Sequence, residues 1–147
     1  MAVYSFIDVV ATLVGPTGFL NLGYGAGVAE EGITIEMDGD KNTMMIGADG
    51  EGMHSLHADK SGKVTVRLLQ TSPQNAKLQV MYDAQTLSSA LHGQNLISIS
   101  NPVSGDMTIA RSCAFKKKAT TNYAKDGKTV EWIFDAVKID AVLGTYN

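Results

Sequence analysis

Apolar residues fall at alternate positions in run after run of this chain, the period of a strand with one buried face. The clearest case is Gly62 to Gln70, where Val64, Val66 and Leu68 alternate with Thr65 and Arg67. Tyr4 to Val14 reads as a first strand, with Ile7, Val9, Ala11 and Leu13 on one face and Phe6, Asp8, Val10 and Thr12 on the other. Its mixed second face suits a strand partly covered by a neighbour. Ile33, Ile35 and Met37 alternate with Thr34 and Glu36 before a break at Asp38-Gly39-Asp40, and Thr43 to Ile46 begins another strand. Leu96 to Ser100, Met107 to Lys117 and Thr129 to Leu143 follow, the last placing Val130, Trp132, Phe134 and Ala136 on one face. One stretch has helical spacing instead: from Pro73 to about His92, Val80, Ala84, Leu87 and Leu91 form a stripe that Leu78, Met81 and Tyr82 widen. Ser72-Pro73 reads as an N-cap and first helical residue, and Gly93 as the residue after the C-cap. Thr86, Ser88 and Ser89 are weak helix formers, so a break near Gln85 is expected. About seven strands and one helix predict a mainly β, α+β fold: a β-sandwich or partly open barrel with a flanking helix, not βαβ winding.

Two stretches have no period. Gly15 to Gly27 is too rich in glycine for a regular element, and reads as a long loop whose Phe19, Leu20, Leu22 and Tyr24 need a partner. Gly47 to Ser61 sets Gly47, Gly50 and Gly52 among Asp49, Glu51, His54, His57 and Asp59. It reads as the exposed tip of a long hairpin, the kind of excursion that touches something.

Composition narrows the function. The 147 residues are most economically one domain spanning 1–147, with long loops at 15–27 and 47–61. Charged residues are only 18% of the chain, below the roughly 25% of an average domain, so partners are expected to cover part of the surface. A net charge of −3 argues against a general nucleic-acid binder, whose phosphate-facing surface is basic. The lone Cys113 reads as a small core residue in a strand. There is no secretion-signal pattern and no apolar run near the ~20 residues of a membrane span, so the protein is expected to stay in a cytoplasm until it is assembled, without membrane contact.

The motifs that point towards chemistry are each incomplete. Asp38, Asp40, Asn42 and Asp49 begin a calcium-loop pattern, but Thr43 stands where the loop needs glycine, and strands flank it. His54 and His57 with Asp49, Glu51 and Asp59 match no closed metal-site spacing. Gly23, Gly25 and Gly27 give half a dinucleotide fingerprint, with Val28 in place of its last glycine. Ser55, His57 and Asp59 lack any support for triad geometry. Lys116 to Lys118 read as a solvated strand end, and Trp132 as core or an intersubunit anchor. No catalytic residue, cofactor or metal is expected.

The runs GADGEG (residues 47–52), DKSGKVTVRLLQTSP (59–73) and EWIFDAVKID (131–140) together resemble tail tube proteins of contractile-tailed bacteriophages. The resemblance covers most of the chain and is strongest in GKVTVRLLQTSPQNAKL; the first thirty residues or so match only in general character. It implies a structural virion protein, not an enzyme, whose six copies close into a ring around one continuous inner barrel. Closure removes sheet edges, and stacking of rings is a heterologous contact that propagates. The resemblance implies a ring-stacking role for the 47–61 loop, through Gly47, Asp49, Gly50, Glu51, Met53, His54, His57, Asp59 and Lys60. A second subunit contact falls to Phe19, Leu20, Leu22 and Tyr24, and Glu36 and Asp135 are candidates to line a lumen that passes phage DNA without binding it. Arg67 on such a face would need a carboxylate partner. Expected partners are further copies of the chain, tail sheath, tape measure, baseplate and tail terminator proteins. A type VI secretion-like tube subunit shares these expectations, and a monomeric β-sandwich ligand-binding module is the alternative from another class.

Overall fold

The computed structural model describes residues 2–146, and for residues 29–31 the backbone alone. Its elements, in chain order, are β1 (Val10–Gly15), β2 (Gly18–Asn21), β3 (Val28–Met37), β4 (Asn42–Ile46), β5 (Gly52–Leu56), β6 (Gly62–Leu69), α1 (Gln74–Gln85), β7 (Asn95–Asn101), β8 (Asp106–Phe115) and β9 (Thr129–Val142). Seven strands make one antiparallel sheet in the order β2-β1-β7-β8-β9-β6-β3. β4 and β5 pair only with each other. The fold is therefore mainly β with one flanking helix, as the alternation predicts.

The core lies between one sheet face and α1. Val64, Val66 and Leu68 of β6 and Trp132, Phe134 and Ala136 of β9 are buried on that face, joined by Leu13, Ile97, Cys113 and Phe115. From the helix, Leu78 and Met81 are buried, and Tyr82 packs edge-on against Phe115 at 5.8 Å between ring centres. Trp132 is a core residue whose indole N–H donates to Asn75 Oδ1 at 3.1 Å. Burial pushes the Cys113 thiol up to about 11, so the thiolate is suppressed at neutral pH. Ile33 and Ile35 of β3 line a cleft of about 560 Å³ together with Ile99 of β7 and Thr108 of β8. These strands are not neighbours in the sheet, so the sheet curls to carry its β3 edge across towards β7 and β8, the geometry of a partly open barrel.

The period-2 pattern breaks at two places in the sheet: the β3–β6 register shifts between Val28 and Ile33, and an extra residue is accommodated between β7 and β8. Between β7 and β8 the register runs from Ile97–Ala110 to Asn95–Cys113, one residue longer on β8, and Ser112 takes up the excess at φ +53°. Ala110 and Cys113, three apart, thus both face the core.

Several expectations need correction. The first strand starts at Val10, because Ser5 caps a 3-10 turn over Phe6–Asp8 by accepting from the Ile7 N–H at 3.2 Å; Ile7 is exposed. The stretch 15–27 is not a loop: it contains β2, paired with β1 from Thr12–Asn21 to Gly15–Gly18. The helix ends at Gln85, with Val80 and Leu87 exposed, and a series of turns fills the distance to β7. Its first residue is Gln74 rather than Pro73, although Ser72 Oγ does accept from the Gln74 N–H at 3.3 Å and itself donates to the Ala26 carbonyl. The strand count rises from seven to nine because β2 and β5 lie inside the two stretches without a period.

Candidate functional site

Between β3 and β6, β4 and β5 form a two-stranded arm. Their register pairs Asn42 with Leu56, Met44 with His54, Met45 with Met53 and Ile46 with Gly52. The tip is ordered by its own backbone: Gly47 N–H donates to Glu51 O at 2.7 Å, Glu51 N–H to Asp49 Oδ1 at 3.1 Å, and Gly50 sits at φ +87°, open to glycine at little cost. At the base, Asp59 accepts from the Ser61 N–H at 2.8 Å and pairs with Lys41 at 3.2 Å. These bonds, the Ser61 N–H foremost, hold the Asp59 carboxyl down to about 2.

The arm contributes nothing to the core. Met44, Met45, Ile46, Met53 and Leu56 are all more than half exposed. An isolated two-stranded ribbon is marginal in water, and a cluster of exposed large apolar side chains marks a surface meant to be covered. Met53, His54, Gly47, Asp49, Gly50 and Glu51 lie on the ribbon and its tip, while His57 and Asp59 lie on the returning segment, His57 3.4 Å from Thr43 Oγ1. Lys60 belongs to the sheet instead: it bridges to Lys138 of β9 and pairs with Asp140 at 3.4 Å. Met44, Met45, Ile46 and Leu56 are absent from the expected contact set, although Thr43 to Ile46 reads as a strand. Three consecutive apolar residues without alternation, next to a glycine-rich turn, were the available signal.

The sheet face turned away from the core carries charged and hydroxyl side chains over β3, β6 and β9, beside the apolar Ile133 and Val137 of β9. Glu36 and Asp135 flank Lys63 in register, so opposite charges alternate across three strands. Arg67 has the carboxylate it needs: it pairs with Glu131 at 3.4 Å and donates to Thr34 Oγ1 at 2.7 Å. Of the second contact set, Phe19 and Tyr24 are exposed. Leu20 and Leu22 are not available to a partner, being 3% and 0% exposed in the core: strand β2 turns Leu20 inward, and just beyond it the Leu22 N–H donates to the Ala11 carbonyl at 2.8 Å. Among the described residues no three acidic, histidine or cysteine side chains group as metal ligands, and no helix is long and apolar enough to cross a membrane.

A family model described as Bacteriophage PhiTE tail tube protein matches residues 1–144. The chain belongs to this tail tube family. It is thus a structural component of the phage tail and not an enzyme. Two solved structures share the tail tube-like fold over almost all of both chains. The sheath/tube terminator of the extracellular contractile injection system PVC, in the extended state, superposes with a TM-score of 0.60 at 12% identity, over 97% of this chain and 98% of that one. The cap of the anti-feeding prophage, a tube terminating cap, gives 0.56 at 8% identity, over 98% and 93%. A search of curated protein sequences finds no match.

Proposed function

We propose that the protein is the repeating subunit of a phage tail tube, in which six copies close into a ring, rings stack head to tail, and DNA passes through the lumen at ejection. The observation that carries this reading, given the family, is the arm: an ordered ribbon whose two strands pair only with each other and which exposes five large apolar side chains. In the assembled tube the arm, with Gly47, Asp49, Gly50, Glu51, Met53, His54, His57 and Asp59, makes the stacking contact. Phe19 and Tyr24 make a lateral one. The charge-alternating face with Glu36 and Asp135 lines the lumen, where internal ion pairs leave little net charge to hold a polyanion. Sheath, tape measure, baseplate and terminator proteins are the partners this role requires, and the tube is built in the host cytoplasm.

The two structural neighbours, a sheath/tube terminator and a tube terminating cap, favour a second reading, a terminator that caps the tube. Negative-stain electron microscopy at rising protein concentration separates the two. Long tubes from the full chain, and rings only from a variant whose residues 42–57 are replaced by a short glycine turn, support the tube subunit. Rings that never lengthen but attach to the ends of preformed tubes support the terminator, and a persistent monomer removes both readings.

A further inference from the structure

Two groups of charges without salt-bridge partners lie at opposite ends of the same strands. Residues 38–60 hold Asp38, Asp40, Asp49, Glu51 and Asp59 against Lys41 and Lys60. Both lysines are engaged, Lys41 by Asp59 and Lys60 by Asp140, so Asp38, Asp40, Asp49 and Glu51 have no salt-bridge partner among the described residues. Residues 116–128 hold Lys116, Lys117, Lys118, Lys125 and Lys128 against Asp126 alone, and none of these lysines has a salt-bridge partner among the described residues. Register fixes where the two groups lie. β6 leaves the arm at Gly62, opposite Ala136, and ends at Leu69, opposite Thr129, where β9 emerges from the lysine-rich segment. An acidic end and a basic end are therefore separated by the length of an eight-residue strand, about 25 Å.

The basic end also has a receiving shape. Gln70 pins the segment down, donating its backbone N–H to Lys128 O at 3.0 Å and its side-chain amide to Asn122 O at 3.1 Å. Between that segment and the first half of α1 runs a cleft of about 570 Å³, walled by Asn75, Ala76, Lys118 and Tyr123 with Trp132 at its floor. Tyr123 is 88% exposed at the rim.

We propose that this cleft receives the arm of a second copy of the chain, the acidic tip lying among Lys118, Lys125 and Lys128 and the apolar ribbon against Ala76 and Tyr123. This rests on the tube reading and names the surface that accepts the stacking contact. Charge complementarity selects the occupant and its polarity: two acidic ends, or two basic ends, repel, while an acidic end meets a basic one favourably. Such a contact is heterologous, so each copy offers a free arm at one end and a free cleft at the other, and growth continues.

Four chains test the pairing by sedimentation and electron microscopy at low salt: the parent, an arm-reversed chain (Asp38→Lys, Asp40→Lys, Glu51→Lys), a cleft-reversed chain (Lys118→Glu, Lys125→Glu, Lys128→Glu), and the chain with all six changes. All six positions are exposed, and none of these side chains makes a hydrogen bond among the described residues, so the fold tolerates the changes. Each one-sided reversal is expected to raise the concentration needed for tubes by about tenfold or more, because like charges then face each other. The chain with all six changes regains tubes, and so does an equimolar mixture of the two one-sided chains. Unaltered tubes from a one-sided chain, or no recovery with all six changes, overturns the pairing and leaves the tube reading standing. A parent that never stacks overturns the tube reading, and the pairing with it.

Discussion

Gln85 and Asn95 sit together under the end of α1, each 1% exposed, and exchange two hydrogen bonds: Gln85 Nε2 to Asn95 Oδ1 at 2.8 Å and Asn95 Nδ2 to Gln85 Oε1 at 2.7 Å. Gln85 Nε2 also reaches Thr17 Oγ1 at 3.0 Å. Gly15 has to be glycine beside them, since a Cβ there would run into Asn95 Oδ1. A buried amide that loses its partner loses its hydration as well, which costs more than the bond contributes when made. Gln85→Leu is therefore expected to lower stability in urea denaturation by about 2–3 kcal/mol. Adding Asn95→Leu should cost less than the two single losses together, with a coupling of about 1–2 kcal/mol. Strict additivity would mean that the pair does not act as a unit. Since α1 walls the cleft at the basic end, the clamp that fixes its far end to β7 also positions that surface. Nothing in the sequence marked these two residues: a glutamine on a helix and an asparagine opening a strand are ordinary surface choices until tertiary structure buries both.

At the scale of elements, the arm's weakest joint is its base, where Asp59 closes the return onto Ser61 and Lys41. A carboxyl held at about 2, against 3.8 for the free group, stabilises the base fully above pH 4 and loses that contribution as pH falls towards 2. Amide exchange should accordingly show Ser61 losing protection between about pH 4 and pH 2, before the β6 and β9 amides do. Asp59→Asn should abolish that pH step; a step that persists would place its origin elsewhere. The arm was legible as an excursion, because glycine and charge excluded a core role for 47–61. Its first strand was legible from Thr43 to Ile46, but its second, Gly52–Leu56, was not, because a ribbon exposed on both faces has no reason to alternate. β2 escaped for a related reason: four residues between glycines, held at the sheet edge by pairing with β1, are too short for a period to register. Where a strand has one buried and one exposed face, as in β6 and β9, alternation gave both the element and its core residues.

For the molecule as a whole, what the sequence withheld was pairing. Nothing local announces that β1 lies against β7, more than eighty residues along, or that β9 lies between β8 and β6. That last placement divides the sheet into β2-β1-β7-β8 on one side and β6-β3 on the other, joined only through β9. A chain ending at Gly127 is expected to show no cooperative thermal unfolding by circular dichroism, because neither part can bury its apolar face without Val130, Trp132, Phe134 and Ala136. A sharp transition in that fragment would mean that one part is a folding unit of its own.

The position of β9 also sets a sequence in time. During synthesis the strands on both flanks leave the ribosome first, each with an open edge, and the keystone between them is the ninth strand to appear. A nascent chain therefore holds an arm but no finished wall to bear it, and gains that wall only when β9, Thr129–Val142, has left the ribosome.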